Sequence, residues 1–182
     1  ASWALGDVPP VKAFGLGGRQ VCLDPIYGDQ FDHHSVAYEY ENGVRVFAHC
    51  RDIPNCHNTT SDIVLGTKGR AIMPVRCRIE GENSWQYDGP GCNRFDLEHV
   101  ALFTAIRGGK PINNSLYMAR SSMLGILATW CTYTGQVISW EEAMQSKRVA
   151  APERYALDAD PPTLPDADGR ENAGLPSRIE QG

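Results

Sequence analysis

FDHHSVAYEYENGVRVFAHCR, residues 31–51, is the stretch whose reading decides the fold. Asn42-Gly43 is the favoured dipeptide of a type I′ turn, and apolar residues alternate on both sides, so the stretch reads as a β-hairpin with a two-residue loop. That loop predicts Glu41 opposite Val44, and outward from it Tyr40 with Arg45, Tyr38 with Phe47, Val36 with His49 and His34 with Arg51. One face then carries the aromatic, basic and imidazole side chains. The other carries Glu41, Val44, Glu39, Val46, Ala37, Ala48, Ser35 and Cys50, small enough to lie under helices. The first face suits a ligand pocket or a partner surface; the plainer alternative is aromatic stacking on a half-exposed sheet with Arg and His at its rim.

Outward from the hairpin, residues 1–7 read as the last turn of a helix stopped by Gly6, and residues 11–16 as a first strand. Gly15, Gly17 and Gly18 do not make a dinucleotide loop, because Gln20 stands where a third glycine belongs and no helix pattern follows. Residues 19–32 and 52–60 are polar loops. Strands are expected over 62–66, 70–76 and 84–87, with 77–80 as an extension of the second. Helices are expected over about 96–107, from about 114 to Gly135, and after Ser139, where Ser-Trp-Glu-Glu matches a capping box. In the second helix Leu116, Ala119, Met123, Ile126, Leu127 and Trp130 form the stripe expected to face the core.

Strands come first and helices second, without βαβ alternation. The expected class is α+β: an open, mostly antiparallel sheet with two to three helices packed on one face. Residues 1–150 are expected to form that domain. Residues 151–182 hold five of the twelve prolines and seven acids against three bases, and are expected to form an extended acidic arm.

The chain has 182 residues, 42% of them hydrophobic, and a net charge of −5. A real core is affordable at that size. No basic cluster provides a footprint for nucleic acid, and no apolar run is long enough to span a membrane. The chain is expected to be soluble, cytoplasmic or exported. Six cysteines at irregular spacing, without a C-x-x-C, support neither a zinc ribbon nor a disulfide scaffold. His34, His49 and Arg51 are the groups expected to face one another, and the Arg51 charge argues against a cation there, so no metal is assigned. No Gly-x-Ser-x-Gly elbow occurs. Asp24, Asp29 and Asp32 are read as solvated loop acids, and His99 as a structural helix histidine. No catalytic residue is assigned.

The segments VKAFGLGGRQ, FDHHSVAYEYENGVRVFAHCR, IVLGTKGRA, LEHVALFTAIRGGKPINNSLYMARSSMLGILATWCTYTG and VISWEEAMQS, in that order, resemble the C-terminal domain of the bacterial glucose-fructose oxidoreductase, inositol dehydrogenase and rhizopine catabolism family (Gfo/Idh/MocA). The resemblance covers roughly residues 1–155. It implies an α+β domain whose open sheet lines a sugar or polyol pocket and builds a homo-oligomer, joined to an N-terminal Rossmann domain that binds NAD or NADP. The family's catalytic Lys lies in that missing domain. Its catalytic His would precede Ala1, since only the end of the pattern, Ser2-Trp3-Ala4-Leu5-Gly6, survives. The resemblance therefore implies a substrate-binding and oligomerisation domain that holds no cofactor and is inactive alone. A freestanding binding or assembly module of the same fold is the alternative. The residues expected to contact substrate are Arg19, His33, His34, His49 and Arg51.

Overall fold

The computed structural model describes residues 2–73, 77–91, 93–147, 154–159 and 166–168. The strands are β1 Lys12–Gly18, β2 His33–Glu39, β3 Arg45–Arg51, β4 Asp62–Gly66, β5 Gly69–Met73, β6 Arg78–Gly81, β7 Trp85–Gln86 and β8 Ile138–Ser139. The helices are α1 Arg94–Arg107, α2 Ser115–Thr134 and α3 Trp140–Gln145. The class is α+β, as expected. The strands, however, sort into two antiparallel sheets, ordered β3-β2-β1-β8 and β4-β5-β6-β7. The chain forms two compact units, one of residues 56–116 and the other of the segments on either side. Each hairpin is a local product of its own alternation, and alternation alone carries no information about which hairpins join edges.

In the unit of residues 56–116, β4 to β7 pair in sequence order. Glu80 anchors this meander by taking the Nε–H of both Arg70 and Arg78 at 2.7 Å. Asn93 caps α1 by accepting the Phe95 amide, and none of the helix's residues is buried.

The other unit contains the core. β1 and β2 pair along their whole lengths, from Lys12 opposite Glu39 to Gly18 opposite His33. Their backbones approach closely: a Cβ on Gly15 would lie 2.4 Å from the Ser35 carbonyl oxygen, so the strand needs glycine there. β8 joins the far side of β1, with Ile138 opposite Ala13. It was not anticipated, because two residues leave no periodicity to read. Ser139 then caps α3, and its reciprocal bond with Glu142 is the expected capping box.

The hairpin departs from its expected register. The structure pairs Tyr38 with Val46, Val36 with Ala48, Ser35 with His49, His34 with Cys50 and His33 with Arg51. Asn42 does not take the positive φ that a type I′ turn requires; Gly43 does, at 79°. The Gly43 amide donates to the Tyr40 carbonyl (2.9 Å), and the Tyr40 amide to the Val44 carbonyl (3.0 Å). The loop is therefore three residues, 41–43, a turn followed by a left-handed glycine. Asn42 Oδ1 accepts the Val44 amide and holds it there. One extra loop residue moves β3 by one place and exchanges its faces. Tyr38, Tyr40, Val36 and His34 thus share a face with Val46, Ala48 and Cys50, while Phe47, His49 and Arg51 share the other with Ala37, Ser35 and His33.

The Tyr38 face is the core face. Ala13, Val36, Tyr38 and Tyr40 from the sheet pack with Leu127 and Cys131 of α2, Ile138 of β8 and Ala143 of α3. The Tyr38 hydroxyl donates to the Leu124 carbonyl at 2.8 Å, and burial pushes that phenol up to about 12. The buried side of α2 keeps Met123, Leu127 and Trp130 of the expected stripe and leaves Leu116, Ala119 and Ile126 outside. Leu127, Cys131 and Thr132 are buried, whereas Leu116 and Ile126 are exposed. The actual side includes Thr132 and the partly buried Arg120, which a search for apolar residues alone passes over.

The N-terminal turn, Ser2–Leu5, is a 3-10 helix. It ends at Gly6 (φ 70°), as expected of a glycine stop, and the Arg120 guanidinium donates to the Asp7 carboxylate at 3.2 Å. Most of residues 151–182 lie outside the described residues.

Candidate functional site

The side chains expected to meet a ligand gather at one end of the first sheet, where β1 ends, β2 begins and β3 ends. The loop between β1 and β2 is fastened there by Asp32, which is buried. Its Oδ2 accepts the amides of Gln20 (2.7 Å), Val21 (2.7 Å) and Cys22 (3.0 Å). Its Oδ1 accepts His33 Nδ1–H at 2.7 Å. Burial alone would raise the Asp32 carboxyl. The amides of Cys22 and Val21, the His33 imidazole and the Gln20 amide override it and hold the group well below the usual carboxylate range. Asp32 is thus not the solvated loop acid expected. Asp24 caps a 3-10 turn over Pro25–Tyr27, with its Oδ1 on the Ile26 amide.

Asp32 fixes His33. With Nδ1–H committed to the carboxylate, the imidazole is oriented and its other nitrogen is the one left to meet a ligand. His33 is half-exposed on the open face, directly opposite Arg51. A Cβ on neighbouring Gly18 would sit 3.5 Å from its ring. In the adjacent row Ser35 faces His49, with its Oγ 3.0 Å from Nδ1. His33, His49 and Arg51 therefore come together. Arg19 belongs to the loop, where its guanidinium donates to the Gly28 carbonyl at 2.8 Å.

His34 is not part of this cluster, because strand alternation turns it to the core face. Its Nδ1 lies 2.9 Å from Thr132 Oγ1. The Thr132 hydroxyl proton is directed at the carbonyls of Ala128 (2.9 Å) and Thr129 (3.1 Å). The proton between His34 and Thr132 must then come from Nδ1, which fixes the tautomer. Burial, followed by the charge of neighbouring His33, lowers the His34 imidazole below its ordinary value and favours the neutral ring. Phe31 stacks on Tyr133 with centroids 4.0 Å apart beside it. The Tyr133 hydroxyl accepts the Phe31 amide (3.0 Å) and donates to the Asp29 carbonyl (3.1 Å).

Sequence reasoning overlooked Asp32, Phe31, Thr132 and Tyr133 as organisers of this end. The one local signal is the acid placed immediately before the histidine pair at a strand start. His99 lies on α1 in the other unit, exposed, with Nδ1 bonded to the Phe95 carbonyl of its own helix. Among the described residues no three His, Cys, Asp or Glu side chains are placed to hold a metal ion. The Gly15-Leu16-Gly17-Gly18 run is strand, packed against β2, not a loop that could cradle a pyrophosphate.

No protein-family model matches the chain, and no curated protein matches it in sequence. Among solved structures it is similar to that of a presumed oxidoreductase from Thermotoga maritima, with 14% identity and a TM-score of 0.51, over 76% of this chain and 42% of that one. A presumed oxidoreductase from Klebsiella pneumoniae aligns with 15% identity and a TM-score of 0.49, over 75% of this chain and 47% of that one. The chain spans less than half the length of either protein. At such identity the Thermotoga likeness establishes the fold.

Proposed function

We propose that the chain is the substrate-binding and oligomerising part of an NAD(P)-dependent oxidoreductase acting on a sugar or polyol, and that a separate nucleotide-binding domain completes it. The observation that carries this reading is the cluster of hydrogen-bonding side chains at the end of an open antiparallel sheet whose fold is similar to that of an oxidoreductase. A nicotinamide bound by its own domain would accept the hydride. The residues here bind and orient: His33, held by Asp32, meets one hydroxyl through its outer nitrogen, while Arg51, His49 and Arg19 supply further hydrogen bonds. Proton removal at the reacting carbon falls to a base outside the described residues.

The test is a titration of the native chain with a panel of neutral sugars and polyols, followed by saturation-transfer NMR. Binding is expected for one stereochemical series and should weaken about tenfold in His33→Ala, a loss on the order of one hydrogen bond to a polar group. Equal binding by the variant removes His33 from the site.

The oligomer belongs to the same reading. The face opposite the core exposes Leu16 (72%), in the row of Ser35 and His49, and Phe47 (62%), in the row of Ala37 and Phe14, so a second copy that covered this patch would also border the corner of His33 and Arg51. Light scattering should give a dimer or larger assembly for the native chain and a folded monomer for Phe47→Asp. A native monomer at micromolar concentration excludes this face as the seam.

A further inference from the structure

We infer that Gly18 is a specificity-determining residue: its missing side chain leaves a notch beside the outer nitrogen of His33, and that notch admits the carbon that bears a substrate hydroxyl. The inference rests on the reading of this corner as a substrate site and adds the residue that sets how much bulk the site accepts.

β1 carries three glycines, and they differ in what requires them. A Cβ on Gly15 would lie 2.4 Å from the Ser35 carbonyl oxygen. One on Gly17 would lie 2.8 Å from the His33 carbonyl oxygen and 3.0 Å from the Phe31 ring. Packing demands glycine at both positions. It makes no such demand at Gly18. That residue does not take a positive φ, so its backbone suits any L residue. Within 4 Å, among the described residues, its Cβ would meet only Cε1 and Nε2 of the His33 ring, both at 3.5 Å, an ordinary van der Waals distance. A glycine in a strand also weakens the fold, because it loses more backbone freedom on folding than any other residue. Where the fold neither needs the glycine nor gains from it, close approach of a ligand is the remaining use of the space.

The ring atoms that Gly18 leaves uncovered are the reactive ones. Asp32 holds the Nδ1–H of His33, so Nε2 carries the lone pair that accepts a hydroxyl proton. A hydroxyl oxygen at about 2.8 Å from that nitrogen brings its own carbon to about 3.5 Å. A Cβ at residue 18 would stand at the same range and compete with that carbon for the flank of the ring. On the β3 side His33 faces Arg51, so the bare flank is the β1 side. Leu16, exposed about 7 Å further along the strand, forms the far edge of the notch. The Arg19 guanidinium is held on the Gly28 carbonyl within the loop.

The experiment compares the native chain with Gly18→Ala, Gly18→Val, Gly15→Ala and His33→Ala. Scanning fluorimetry gives the unfolding midpoints, and saturation-transfer NMR titration gives the affinities for myo-inositol, D-glucose and D-glucitol as separate probes. Gly18→Ala is expected to raise the midpoint by about 2 °C, since it restricts the unfolded chain without disturbing the folded one. It should weaken the best-bound probe by about threefold, and Gly18→Val by at least about tenfold, with a midpoint no lower than that of the native chain. Gly15→Ala should lower the midpoint. A gain in stability joined to a loss of binding is a combination that a structural glycine does not give. A lowered midpoint in Gly18→Ala overturns the inference, because the glycine is then required by the fold. Native-like affinity in Gly18→Val together with weakened affinity in His33→Ala also overturns it, and leaves the corner a substrate site. Native-like affinity in both variants, or no binding of any probe by the native chain, overturns it together with the assignment of this corner to substrate.

Discussion

Leu127→Ala is expected to lower the unfolding free energy by about 3 kcal/mol, the usual cost of emptying a fully buried leucine site. Leu127 has no exposed surface and lies in the cluster that joins α2 to Val36, Tyr38 and Ile138. The cluster holds side chains from five separate elements, so no single one can settle into the void, and the cavity persists. Urea denaturation followed by tryptophan fluorescence reads this directly, since Trp130 and Trp140 pack against the same cluster. Leu116→Ala is the internal control. That leucine is 64% exposed, and its loss should stay within about 0.5 kcal/mol. Equal costs at the two positions would mean that the buried side of α2 has been misplaced.

Asp32→Ala should be the next most damaging change, lowering the midpoint of thermal unfolding by on the order of 10 °C at neutral pH. It removes the shared acceptor of three loop amides and the partner of His33 at one stroke. The pH dependence gives the effect a signature. The folded state holds the carboxyl below its ordinary value of about 3.9, so the native state favours the charged form. The stabilisation is present in full above that ordinary value and is lost as the pH falls below about 4 toward the folded value. The gap between native protein and variant should hold from neutrality to about pH 5 and then close on further acidification. Scanning fluorimetry across that range decides it; a gap unchanged at about pH 2 would show that the carboxylate's charge contributes nothing.

Much of the architecture is readable from residue order. The capping box at Ser139, the glycine stops at Gly6 and Gly135, and the strand Asp62–Gly66 all follow from local chemistry and recur in the structure. The hairpin's existence is equally local. Its register is not, because Asn-Gly serves two loop lengths and the choice rests on whether Asn42 turns left-handed or spends its side chain on the Val44 amide. That single residue decides which face of β3 meets the core. Composition gives the histidines and Arg51 as candidates, and only the observed register brings His33 rather than His34 to Arg51. Asp32 was hidden for a different reason: an acid in a loop is ordinarily solvated, and the three amides that enclose it come from residues 20–22, some ten positions earlier. Such pairings follow from the path of a loop, and no local periodicity records them.

The Tyr133 hydroxyl links two elements that otherwise have separate histories. It sits in the last turn of α2, yet it accepts the Phe31 amide and donates to the Asp29 carbonyl. Neither bond can be given up alone without leaving the phenol half-satisfied, and the stacked Phe31 ring adds a third tie. The loop before β2 and the last turn of α2 are therefore tied to each other, and loosening one weakens the hold on the other. A helix end thus serves as the loop's clasp, and weakening the last turn of α2 would slacken a segment more than a hundred positions earlier in the chain.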